Sequence, residues 1–131
     1  MEVCSIGLVY ANISLRNPRK SELHPLDVRA LVDTGSMHLR IPDRVAIQLK
    51  LESVYEREVT IADGSKRLCP YVGPLDVRFD GRVCYTGALV LGEEVLLCAV
   101  PMEDMDLVIS PATRGVVVNP ESPNIPSTIV K

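Results

Sequence analysis

Apolar and polar residues alternate along residues 6–15. Ile6, Leu8, Tyr10, Asn12 and Ser14 fall on one face, and Gly7, Val9, Ala11, Ile13 and Leu15 on the other. A period of two predicts a strand. Asn17-Pro18-Arg19-Lys20-Ser21 carries turn chemistry. Residues 26–32 predict a second strand, apolar enough near its end to be buried on both faces, and it stops at Asp33. Leu39 and Ile41 continue briefly. Pro42-Asp43-Arg44 then opens a short helix, with proline suited to a first turn.

The second half repeats the rhythm. Residues 55–62 predict a strand, and Asp63-Gly64 is the strongest hairpin signal in the chain, with residues 67–72 returning from it. Residues 74–79 and 82–90 predict another hairpin, turning at Asp80-Gly81. A loop over 91–94 leads to an apolar strand at 95–97 and a turn or short helix at 101–105. Residues 107–109 and 115–118 are expected to close the sheet. Residues 119–131 hold three prolines and read as an extended, at best partly ordered tail after a single domain over 1–118. Many short strands with one or two short helices predict a mainly β fold, a small closed barrel. An apolar strand, a small-residue loop and a short helix occur near residue 33 and again near residue 98, a loose internal echo.

Composition narrows the classes. The 131 residues are 47% hydrophobic but only 4% aromatic, an aliphatic, β-rich balance sufficient for one core. Net charge is −3, and Arg16, Arg19 and Lys20 form the only small basic cluster, so no nucleic-acid partner is expected. No apolar stretch nears the ~20 residues of a membrane span, and no leader pattern opens the chain, which together predict a cytoplasmic protein without membrane contact. Cys4, Cys69, Cys84 and Cys98 lie far apart without paired histidines. That predicts small buried hydrophobes, no metal and no cofactor. His24 reads as exposed loop, and His38 as a packing or surface histidine.

Candidate chemistry concentrates at Ala30-Leu31-Val32-Asp33-Thr34-Gly35-Ser36. A carboxylate ending a buried strand is costly unless it is hydrogen-bonded, paired or used. Thr34 and Ser36 bring hydroxyls, and Gly35 brings a tight turn and an open N–H. From these residues alone, an Asx turn that caps its own loop is an equal reading. The loop resembles the active-site loop of aspartic peptidases. Three stretches carry the resemblance: this loop, the hairpin Glu58-Val59-Thr60-Ile61-Ala62-Asp63-Gly64-Ser65, and the late segment from Val95 to Leu107. With a single such loop, the chain is similar to the small, single-lobe, retropepsin-like bacterial and archaeal members of that family.

The resemblance implies a retropepsin-like closed barrel acting as a two-fold homodimer. Asp33 of each subunit would be catalytic, and the substrate would be an extended polypeptide. It implies that Thr34, Gly35 and Ser36 support the loop, Thr34 by bonding across the two-fold. Ile61, Ala62, Asp63, Gly64 and Ser65 would form a flap over the substrate, with side chains near Leu39 and Val100 completing the pockets. Leu96, Leu97 and Cys98 would pack behind the loop. Cys98 stands where the family has glycine, so overpacking of about 1–3 kcal/mol or redox sensitivity is expected there. The acidic flap tip is expected to disfavour acidic peptides. The chain termini, residues 1–5 and 116–118, are candidates for the dimer interface. The alternatives are a catalytically impaired dimerisation or peptide-binding module and, more remotely, a metal-binding hydrolase.

Overall fold

The computed structural model describes residues 8–130. The expected strand start at residues 6–7, Cys4, and the candidate interface residues 1–5 lie outside them. Strand β1 (Tyr10–Arg16) pairs antiparallel with β2 (Leu26–Asp33). A two-residue strand β3 (Arg40–Ile41) leads into helix α1 (Asp43–Gln48), with Pro42 as its N-cap and Asp43 in its first turn. Strands β4 (Glu52–Thr60) and β5 (Lys66–Phe79) form a long hairpin, and β6 (Arg82–Val90) returns along β5. Strand β7 (Leu96–Cys98) runs directly into helix α2 (Ala99–Asp104). Strands β8 (Leu107–Ser110) and β9 (Gly115–Val118) follow.

Seven strands lie in the order β1-β2-β7-β3-β6-β5-β4, and β1 also pairs with β5. That extra pairing closes a barrel of six strands and leaves β4 outside the ring. At the closure Arg16 and Asp76 are register partners, and Nη2 of Arg16 meets the buried Asp76 carboxylate at 2.7 Å. Leu15, Ile41, Leu75, Val77 and Leu97 are enclosed in the barrel. Each such side chain contributes roughly 1.5–3 kcal/mol by leaving water.

Two expectations are corrected. The segments 67–72 and 74–79 are one strand, β5, with its register to β6 broken between Val72 and Leu75, where Gly73-Pro74 falls. Proline is tolerated at such a break because no ladder N–H is needed there. Strands β8 and β9 do not close the main sheet but pair only with each other. The tail is also tied down. Asp106 accepts hydrogen bonds from Asn119 Nδ2 at 3.1 Å, from the Ser127 N–H at 2.9 Å and from the Ser122 hydroxyl. Cys69, Cys84 and Cys98 are buried free thiols.

The internal echo takes a definite form. Strand β2 lies parallel to β7, β6 lies parallel to β3, and β3 crosses β7 antiparallel at Arg40 and Leu96. Strand–helix units β3–α1 and β7–α2 are thus related by a pseudo-two-fold axis between them. The match centres on residues 41 and 97, not on residue 33.

Candidate active site

The register Leu31–Leu96, Val32–Leu97, Asp33–Cys98 brings Asp33 to the end of the parallel β2–β7 pair. The chain then turns sharply, with the Ser36 N–H donating to the Asp33 carbonyl at 3.3 Å. The carboxylate receives the Gly35 N–H on Oδ1 at 3.1 Å and the Ser36 hydroxyl on Oδ2 at 3.3 Å. A Cβ on residue 35 would sit 3.3 Å from Oδ1, so glycine permits this close approach. Helix α2 holds the far side of the loop: the Ala99 and Val100 N–H groups donate to the carbonyls of Ser36 and Met37, both at 2.9 Å. Asp33 is half-buried while Thr34 and Gly35 are exposed. Thr34 makes no side-chain hydrogen bond among the described residues.

Leu96 and Leu97 are buried directly beside the loop, as is Cys98, whose Sγ approaches the Leu96 carbonyl at 3.6 Å. Burial, and then the neighbouring Asp33 charge, push the Cys98 thiol up to about 11. Its thiolate is therefore scarce at neutral pH, and such a thiol is a poor target for oxidants.

The β4–β5 hairpin projects from the barrel. Its turn is a three-residue loop, not the two-residue turn that Asp63-Gly64 suggests. The Ile61 N–H donates to Ser65 O at 2.9 Å and the Gly64 N–H to Ile61 O at 2.8 Å, with Gly64 at φ 88°. Asp63 is turned to local use: it accepts the Ser65 N–H at 2.8 Å and the Ser65 hydroxyl at 2.6 Å, which hold its carboxyl below the usual range. A cleft of about 640 Å³ lies between the hairpin and the barrel, lined in part by Ser36, Met37, Ile61 and Ala62. Asp33 sits at its margin, one hydrogen bond from Ser36. Asp63, Gly64 and Ser65 form the tip and do not line it. Leu39 is core, and its neighbours His38 and Arg40 line the cleft instead, whereas Val100 lies outside it.

An aromatic stack with no local signature in the sequence supports the hairpin's base. Tyr55 lies parallel to Tyr71, ring centres 5.1 Å apart, and His38 meets Tyr71 edge-on at 5.8 Å. The Arg57 guanidinium sits 5.7 Å from the Tyr55 ring centre and donates to its hydroxyl at 3.1 Å. Burial and then the Arg57 charge lower the His38 pKa, so His38 is neutral at pH 7. Gly87 makes room for the stack, since a Cβ there would fall 2.4 Å from the Tyr71 ring.

No second carboxylate joins Asp33 among the described residues. Asp63 serves its turn, Asp104 faces the Cys84 thiol, and Asp106 holds the tail. The pairing of β3 with β6 gives Leu91 the place in the second half that Asp33 has in the first. A second groove, about 530 Å³, lies against Val54, Pro74 and Tyr85 and contains none of the loop residues. No cluster of three metal-binding side chains exists among the described residues, nor a helix long and apolar enough to cross a membrane.

The fold is retropepsin-like. The chain is similar to the retroviral protease-like domain of Ddi1 from Leishmania major, with 12% identity over 86% of this chain and 90% of that one and a TM-score of 0.55. It is also similar to a retropepsin-like aspartic protease from Rickettsia conorii, with 14% identity over 72% and 68% of the two chains and a TM-score of 0.46. At such identities the likeness concerns the fold alone. No family model matches the chain. No curated protein matches it.

Proposed function

We propose that this protein is an aspartic endopeptidase that works as a homodimer, with Asp33 of each subunit forming the catalytic pair. One observation carries the reading: a single carboxylate, held by Gly35 and Ser36 on an exposed loop at the margin of a hairpin-covered cleft, with no second carboxylate beside it among the described residues. A two-fold axis through this loop supplies the missing acid. Met37, 63% exposed, and Val100, 39% exposed, flank the loop and suit such a contact, as does the unbonded Thr34 hydroxyl.

Two carboxylates about 3 Å apart hold one proton between them. The ionised member takes a proton from a bound water as the water oxygen attacks the peptide carbonyl. The protonated member gives its proton to the carbonyl oxygen, forming a neutral tetrahedral diol. Collapse returns a diol proton to one carboxylate while the other carboxylic acid protonates the leaving nitrogen, and the C–N bond breaks. The Gly35 N–H and Ser36 hydroxyl favour the ionised form and fix its orientation. The β4–β5 hairpin acts as the lid, its strands pairing with an extended substrate.

The test is cleavage of a diverse peptide mixture between about pH 4 and about pH 7 by wild type and Asp33→Asn, with products read by mass spectrometry. Wild type is expected to cleave, and Asp33→Asn to lose at least about 1,000-fold while remaining a dimer. Cleavage by Asp33→Asn at the wild-type rate overturns the reading. A folded, dimeric wild type that cleaves nothing transfers the protein to the peptide-binding alternative.

A further inference from the structure

The cleft beside Asp33 contains one permanent charge that has no partner. Arg40 lines it, whereas no lining residue is acidic. Among the described residues Arg40 makes no hydrogen bond and no ion pair. Its Nε is covered and unsatisfied. Its Nη2 lies beside Gly92, at φ 85°, where a Cβ would sit 3.4 Å away. The other arginine nearby is differently placed, since Arg57 already donates to Tyr55 and lies over the tyrosine rings. Neutral His38 adds no charge. The cleft is lined by apolar Leu89 and Leu91 on the barrel and Ile61 and Ala62 on the hairpin, together with the uncharged polar Ser36 and Thr60.

An arginine with a long aliphatic stem can simply cover Leu89 and Leu91 and keep its head in water. Arg16 and Arg57 also have a covered Nε, but each donates through a terminal nitrogen, whereas no Arg40 nitrogen has a partner among the described residues. A guanidinium with free terminal donors beside a cleft that lacks an acidic lining residue matches a carboxylate, which accepts two parallel N–H bonds from it. Asp63 does not compete, because its carboxylate is bound within its own turn.

We propose that Arg40 is a specificity-determining residue that seats an aspartate or glutamate side chain of the polypeptide substrate in the cleft next to the scissile bond. The proposal rests on the peptidase reading and names its substrate class. It reverses the expectation that the acidic hairpin tip excludes acidic peptides.

The experiment uses the full-length protein and matched octapeptides that differ only in Glu or Gln at the position selected from the cleavage mixture. Wild type is expected to prefer the Glu peptide by about 10-fold or more in kcat/KM, less at high salt. Arg40→Met is expected to lose that preference, its kcat/KM for the Glu peptide falling to that for the Gln peptide. A second measurement, fluorescence anisotropy of the same labelled peptides on Asp33→Asn, reads binding without turnover. Cleavage by wild type with no preference for Glu overturns the proposal and leaves the peptidase reading standing. A preference that persists in Arg40→Met also overturns it. Glu-selective, Arg40-dependent binding by a protein that cleaves nothing overturns the peptidase reading and the place beside a scissile bond, and keeps Arg40 only as the carboxylate seat of a peptide-binding module. Neither cleavage nor selective binding overturns both.

Discussion

Cys98 has φ −111° and ψ −173°, extended backbone that any residue adopts. A glycine at this place is therefore not a conformational requirement of this chain. The thiol is fully enclosed, and the Gly35 and Ser36 bonds to Asp33 form with it in place. The expected redox sensitivity has to contend with burial and a thiol pKa of about 11. Cys98→Gly is expected to cost about 1–2 kcal/mol through lost burial and a more flexible unfolded chain. Thermal unfolding would show it as a drop of several degrees, and peptide cleavage is expected not to rise. A clear gain in kcat/KM would mean that the thiol does disturb Asp33. Asp33 itself was legible in the sequence because an acid ending an apolar run violates the burial rule. Arg40 was not, because a lone arginine in a short strand has no local signature.

At the level of elements, the barrel strands followed from alternation, and the hairpin from Asp63-Gly64. The single strand β5 did not, since Gly73-Pro74 reads locally as a break and only pairing to β1, β4 and β6 carries the chain through it. The tail is the other case. Its prolines suggest disorder, yet Asp106, at φ 56°, gathers Asn119, Ser122 and Ser127 around one carboxylate. Those bonds hold the Asp106 pKa below its ordinary 3.8, the Ser122 hydroxyl contributing most. A lowered folded value means that the stabilisation is complete above pH 3.8 and is lost as pH falls through the folded pKa. In NMR titration the Ser127 amide is expected to keep its neutral-pH shift down to that range and move only below it. Asp106→Ala is expected to release the tail at neutral pH, seen as rapid proteolysis beyond Asn119 with the barrel intact. Equal protease resistance in the variant would show that other contacts hold the tail.

For the whole molecule, the proposed mechanism sets an expected assembly: one carboxylate per chain calls for two chains. The surface around the loop carries exposed Met37 and Val100. Met37→Lys sets two like charges near the axis and is expected to weaken the dimer by about 10-fold or more. Light scattering across a concentration series reads this directly, and peptide cleavage is expected to fall in step with the dimer fraction. A wild type that is strictly monomeric at tens of micromolar, yet cleaves, would remove the shared pair from the mechanism.

Period-two alternation, Asp-Gly turns and the apolar run into Asp33 determined the fold class, the element order and the candidate acid, because each is a local preference written within a few adjacent residues. Only the tertiary structure decided how the barrel closes through β1 and β5, that Leu91 holds no second carboxylate, and that Arg40 lines the cleft without a partner among the described residues. Those facts depend on contacts between residues distant in the chain, and the spacing of a sequence does not say which distant residues will meet.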